Sequence, residues 1–312
     1  MIGTNIVSAA RQARTLASIA ITAVGLLVAG GCRSVEQQRF DTPDAAVDAL
    51  VAALRPEVNR NQLEKVLGPD IEDALPSGDH VADLAAVEQF LERYDRGRRI
   101  VSGPDGSRIL EIDTDNWPFA FPLVQADGKW MFDTIAGLEE LDNRRIGANE
   151  LDTIQTCLAV VDAQREYAML DLDRNGLQNY AAKFISDDGK RNGLYWPTAE
   201  GETPSPLGDL VAQASQEGYQ RGGGVYHGYR FKLLTGQGPG APGGEYAYMI
   251  NDLLIGGFGI VAWPAEHGRS GIKSFIVNQD GVVYEKDLGD DTDDAVRAMN
   301  LFDPADWSRA DG

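Results

Sequence analysis

Two cysteines and three histidines are all that 312 residues contain, and each shortage removes a class of protein. With only Cys32 and Cys157, the chain is neither a disulfide-stapled scaffold nor a zinc module, whose Cys and His ligands come in closely spaced pairs. His80, His227 and His267 are far apart and show no metal-ligand spacing. Positive charge is also scarce: 28 Lys and Arg stand against 48 Asp and Glu, a formal net charge of -20. No Lys/Arg cluster is large enough to follow a phosphate backbone, which excludes nucleic acid as a partner. The Gly/Pro loop from Gly236 to Gly244 lacks the Gly-Lys-Ser/Thr ending of a phosphate cradle, and its prolines remove amides that a cradle needs. Arg269 and Ser270 between Gly268 and Gly271 do not have the alternating glycines of a nucleophile elbow.

The chain does have a leader. Arg11 and Arg14 precede an uncharged apolar run from Leu16 to Gly31, and the run stops at Cys32. It is short for a spanning helix, which needs roughly 20 apolar residues, and it reads as a secretory signal over residues 1–31. An uncleaved membrane anchor is the alternative. Ala29-Gly30-Gly31-Cys32 resembles a bacterial lipobox, although Leu is more usual where Ala29 stands. The resemblance implies acylation of Cys32, attachment to the lipid bilayer, and a mature N-terminus at that residue. Arg33, rather than Asp, follows the cysteine, so the expected location is the cell envelope, on an outer membrane facing the periplasm. Residues 32–40 then form a tether, and no disulfide remains for Cys157, which reads as a small buried hydrophobe.

The mature chain reads as α+β, with two units over 41–138 and 139–312. In the first, Asp41-Thr42-Pro43 opens a helix that carries Ala46, Val47, Leu50, Ala53 and Leu54 at helical spacing. A helix over 61–67 follows, then one over 81–94 with Leu84, Val87, Phe90 and Leu91 on one face. A small antiparallel sheet comes next, with a hairpin at Ala126-Asp127-Gly128. The second unit is expected to start with a long helix capped at Asn149, laid on a four- or five-stranded antiparallel meander. A last helix begins in the run Asp290 to Asp294, with Val296, Met299 and Leu301 as its apolar side.

Long stretches of this chain are similar to a known family. Arg144 to Leu151, Gly193-Leu-Tyr-Trp-Pro197, Tyr226 to Gly238, Gly256-Gly-Phe258, Ala262-Trp-Pro-Ala265 and Phe275 to Tyr284 resemble the domain-of-unknown-function 2950 family of bacterial envelope proteins. The resemblance covers nearly all of the mature chain and implies no particular activity. It departs at His267, where the family usually has Tyr, and this argues against a catalytic role for that histidine. The back half alone is similar to the globular part of type II secretion pseudopilins, without their continuous hydrophobic N-terminal helix; this implies a pseudopilin-like fold and not filament assembly.

Three groups of residues are candidates for binding. Asp171, Asp173 and Asn175, followed by Gly176, have the spacing that opens an EF-hand loop, but position twelve is Ala182 where a bidentate acid is required. The stretch reads either as a partial calcium site or as a helix-terminating turn. Asp287, Asp290 and Asp291 form a second candidate cation site, or else serve a helix N-terminus. Tyr195, Trp196, Tyr226, Tyr229 and Trp263 could line a groove for sugar or peptide, although most such aromatics belong in a core. No catalytic residue can be named. The expected function is a lipid-anchored, non-catalytic binding or assembly module for another envelope protein or a cell-wall polymer. The alternatives are a cell-wall or polysaccharide hydrolase that uses unassigned carboxylates and a calcium-stabilised binding module; calcium is the one cofactor considered.

Overall fold

The computed structural model describes residues 36–310 apart from 70, 72–75, 77–78, 173–175, 200 and 220–223. The leader, Cys32, Asp173 and Asn175 lie outside the described residues. All the described residues cluster in one compact unit.

Helix α1 (Pro43–Leu54) begins where the sequence signals it. The Thr42 hydroxyl accepts from the Ala45 amide at 3.2 Å and proline occupies the first turn. The residues it buries are Ala46, Val47, Leu50, Ala53 and Leu54, the helical stripe of the sequence. Asn59 caps α2 (Arg60–Leu67) through the Gln62 amide. Helix α3 (His80–Arg96) is capped by Asp79, whose Oδ1 accepts from the Ala82 amide at 3.1 Å. Val87, Phe90 and Leu91 pack on the core, but Leu84, a turn earlier, lies beyond it and is exposed.

These helices cover a small antiparallel sheet of β1 (Arg98–Ser102), β2 (Arg108–Ile112), β3 (Trp117–Pro118), β4 (Leu123–Ala126) and β5 (Lys129–Phe132). The β4–β5 hairpin pairs Leu123 with Phe132 and Ala126 with Lys129. Asp127 and Gly128 between them both have positive φ, as a two-residue hairpin turn requires. The first core consists of α1, α2 and the inward side chains Leu110, Ile112, Phe121, Leu123 and Phe132.

Helix α4 (Thr134–Met169) runs for 36 residues, about 54 Å at 1.5 Å per residue. It starts earlier than the sequence suggests. Its cap is Asp133, whose Oδ1 accepts from the Ala136 amide, and Asn149 sits inside the helix. The Asn149 side chain is buried and donates to the Ser270 carbonyl at 2.8 Å. Leu138 and Leu141 at the near end pack against the first core; Ile154, Cys157, Val160, Val161 and Tyr167 at the far end belong to a second.

That second core lies between α4 and a five-stranded antiparallel sheet in the order β15-β13-β12-β11-β6, made of β6 (Tyr229–Leu234), β11 (Gly259–Pro264), β12 (Lys273–Asn278), β13 (Tyr284–Asp287) and β15 (Ser308–Arg309). The one long helix on an antiparallel sheet is the arrangement that the alternating apolar runs imply. Alternate side chains of β6, Tyr229, Phe231 and Leu233, face α4. The other face packs under α6 (Thr292–Ala298), where the Lys232 ammonium caps the carbonyls of Val296, Arg297 and Met299. Short pairs fill the excursion between β6 and β11: β7 (Gly236–Gln237), β8 (Tyr246–Ala247), β9 (Met249–Ile250) and β10 (Leu253–Leu254); β14 (Leu301–Phe302) pairs with β7. Leu301 is therefore in a strand and partly exposed, not on the apolar side of the last helix. Helix α5 (Gly208–Gln216) lies in the long connection that precedes β6. Among the described residues, no helix is long and apolar enough to cross a membrane.

Candidate functional site

The residues singled out in the sequence do not converge. Asp171 has φ +40° directly after the end of α4, and its Oδ2 accepts from the Gly176 amide at 3.3 Å. That bond lies just beyond the helix terminus, and Asp173 and Asn175 are outside the described residues. In the second acidic candidate, Asp287 receives His267 Nε2 at 2.8 Å, and Asp290 lies 3.5 Å from Nδ1. The two carboxylates thus approach opposite edges of one imidazole instead of a common point. The Gly289 amide, followed by His267, holds the Asp287 carboxyl below its ordinary range. Asp291 sits at the N-cap of α6 with no side-chain capping bond. Among the described residues, no three His, Cys, Asp or Glu side chains are grouped to hold a metal ion.

Three of the five aromatics proposed for a surface are core residues, which corrects that expectation. Trp196, Tyr229 and Trp263 are buried. Tyr229 donates to the Lys273 carbonyl at 2.8 Å, and Trp263 Nε1 donates to Asp293 at 2.8 Å. Both are large apolar bodies with their polar atoms satisfied, which is why a fold buries such rings. Tyr195 is partly buried against the same core as Trp196. Cys157 is fully enclosed, and burial pushes its thiol up to about 12, so it stays protonated and unreactive.

Tyr226 has a different setting. It borders a recess of about 280 Å³ between α4, α5 and β6, walled by Val160, Phe184, Leu207, Val211 and Phe231. Tyr226 and Tyr219 pack edge to face, with ring centroids 5.0 Å apart, and the His227 imidazole lies 4.2 Å from Tyr226 and 5.8 Å from Tyr219. His227 Nδ1 is 3.5 Å from Asp152 of α4, and Nε2 is 3.3 Å from Glu217 at the end of α5. Burial, with Glu217 and Asp152 nearby, pushes the Tyr226 hydroxyl up to about 12. Burial, then Asp79, holds the Tyr219 hydroxyl well above its ordinary range. Both phenols therefore remain neutral donors.

Asp79 ties this rim to the first core. Besides capping α3, the buried carboxylate accepts from the Tyr219 hydroxyl at 2.7 Å and the Gly228 amide at 3.0 Å. Gly228 is required there: its φ is +73°, and a Cβ would stand 2.4 Å from Asn149 Nδ2. Nothing in the sequence singles out Asp79, Glu217 or Tyr219, and His227 stands out there only as a histidine without metal-ligand spacing. The one local signal was the crowding of Tyr226, His227, Gly228 and Tyr229, an aromatic run that turns sharply at a glycine.

The fold and recess define an α+β protein with an apolar pocket under an acidic, aromatic rim. The family described as "Protein of unknown function (DUF2950)" matches residues 37–310, and the chain belongs to it. Comparison with curated proteins and with solved structures finds no match in either.

Proposed function

We propose that this is a lipid-anchored, non-catalytic binding module of the bacterial cell envelope, whose recess between α4, α5 and β6 holds an apolar group accompanied by a positive charge. The observation that carries the reading is the recess itself: apolar walls below a rim where Asp152 and Glu217 flank His227, in a chain of net charge -20. Its volume of about 280 Å³ lies at the lower bound of small-molecule pockets, roughly 300–1,000 Å³. It suits one or two side chains of a partner better than a cofactor. Catalysis has less support. Ser215 and Thr156, the aliphatic hydroxyls of the wall, each donate to their own helix, at Val211 and Asp152, and the His227 nitrogens both face carboxylates.

Anchoring supports the same role. A single acyl chain holds a protein only reversibly, so multiple acylation of Cys32 would fix the recess near the bilayer. Cys32→Ser should move the protein from the membrane to the soluble fraction of its host; retention would remove the anchor. For the recess, the full chain in lipid nanodiscs would be titrated calorimetrically with octylammonium and with octanoate, using empty discs as the blank. Octylammonium should bind about tenfold more tightly or better, since the rim attracts one charge and repels the other, and Val211→Arg should abolish the difference. Equal binding of both probes, or none, would refute the reading.

A further inference from the structure

We infer that the group entering the recess belongs to an extended polypeptide, which adds as a strand to an open stretch of β6. This rests on the reading of the recess as a binding site and names what occupies it. The argument begins with the register of the sheet. Strand β6 pairs with β11 in antiparallel register from Tyr229↔Pro264 to Leu234↔Gly259. The Ala265 amide donates to the Gly228 carbonyl, which fixes Gly228 and, by alternation, Arg230, Lys232 and Leu234 as the residues bonded to β11. Tyr229, Phe231, Leu233 and Thr235 then present their amides and carbonyls to the opposite edge.

Two of those four are already paired. Tyr229 exchanges both backbone bonds with Tyr226, while Thr235 donates to the Asn300 carbonyl and accepts from the Tyr248 amide. Among the described residues, Phe231 and Leu233 have no such partner, and both are only partly buried. The edge is therefore closed at each end and open for two residues in the middle, four hydrogen-bonding groups in all. Exposed strand edges are templates for another strand, and this one carries neither a proline nor a bulge to blunt it. Phe231 also forms part of the recess wall. A strand paired with Phe231 and Leu233 would direct alternate side chains to the side where the recess opens, because side chains of paired strands share faces. Backbone bonds would give affinity and the pocket would select the side chain, the division found in edge-adding peptide recognition. At the end nearest Tyr226 the acidic pair Asp152 and Glu217 favours Lys or Arg. The ligand class is thus a short extended segment with apolar residues at alternate positions and a basic residue beside them.

The test selects a displayed library of ten-residue peptides on the full chain in nanodiscs, counter-selected on Val211→Arg. Enriched sequences should show apolar residues with period two and a neighbouring Lys or Arg. In a synthetic copy, N-methylation scanned along the backbone should weaken binding about tenfold at alternate amides and little between them, since each lost bond is worth about a factor of ten or less. Leu233→Pro removes an outward amide that β11 does not use, a substitution an edge tolerates. It should weaken the peptide about tenfold and octylammonium binding much less, since Leu233 packs on the second core but lies outside the recess wall. A flat methylation scan, enrichment at helical spacing, or no enrichment would overturn strand addition. If octylammonium still binds in those cases, the recess reading stands; if it does not, both fall.

Discussion

The two cores at either end of α4 satisfy their polar groups in different ways. Around the first, charged side chains pair across elements on the surface: Arg39 with Asp127, Arg98 with Asp48 and Arg99 with Glu111. Arg93 and Arg144 lie over Trp117, with guanidinium carbons 5.3 and 4.7 Å from its ring. Around the second, neutral amides are buried to hold long connections. Gln164 exchanges two hydrogen bonds with the Ala181 backbone, and Gln237 donates to the carbonyls of Pro242 and Gly244 while accepting from Tyr248. A small sheet with tight turns leaves few backbone groups to satisfy. A sheet reached through long connections, such as those around Ala181 and Pro242, leaves many, and an amide side chain supplies a donor and an acceptor at once. The depression of the first region, between Arg55, Pro56, Glu88 and Asp95, is lined mostly by charge. The second keeps an apolar recess and, among the described residues, two edge residues without a strand partner, and it is there that the proposed binding falls.

Substitutions can break or sharpen this contrast. The largest loss should come from Phe132→Ala, which empties a fully buried site in the first core at a cost of about 3–5 kcal/mol. Denaturant unfolding should show one transition, because α4 serves both cores; two separate transitions would mean that the cores melt independently. Next, Gln164→Leu should cost about 2–4 kcal/mol, since it strands both the donor and the acceptor of Ala181 in a buried place; a cost under about 1 kcal/mol would show that the loop is not held this way. Asp79→Ala should cost about 2–3 kcal/mol by removing a helix cap and two bonds to the rim, and it should weaken octylammonium binding, which a purely local cap would not.

Acid gives a smaller effect. Asp187 is held at about 2 by Lys183, then Asn192, below the ordinary carboxyl value near 3.9. Its folded value is depressed, so its contribution is fully present above about pH 4 and lost as pH falls through about 2. Asp187→Asn should therefore flatten the acid limb of a stability profile between those values and change nothing at pH 7 beyond the lost pair. Least of all, Arg39→Gln should change stability by less than about 0.5 kcal/mol, because its ion pair with Asp127 is exposed; a larger loss would contradict the account of the first region as held by its core.

Local features were legible in the sequence. Thr42-Pro43 and the five apolar positions of α1 specify a helix and its buried face together, and Asp127-Gly128 specifies a hairpin. The start of α4 was less so. Asn149 with Asp152 imitates a cap, yet nothing from Thr134 to Ala148 breaks the helix, since Gly137 and Gly147 cost only about 1 kcal/mol each there. The recess was not legible. Its walls come from Val160, Phe184, Val211 and Phe231, and periodicity shows that a side chain turns inward without showing which neighbours it fails to touch. His227 was opaque for the same reason: its two carboxylates arrive from α4 and from the end of α5.

Because a single unbroken α4 carries both ends of the molecule, their mutual orientation is counted in residues. One residue inserted between Ile146 and Gly147 would swing everything beyond it by about 100° and advance it by about 1.5 Å. Asp79, before the insertion, would then lose its reach to Tyr219 and Gly228 beyond it. Even seven added residues, which return the helix to almost the same angle, would part the two ends by about 10 Å, so evolution should vary the loops of this protein freely and leave its spindle alone.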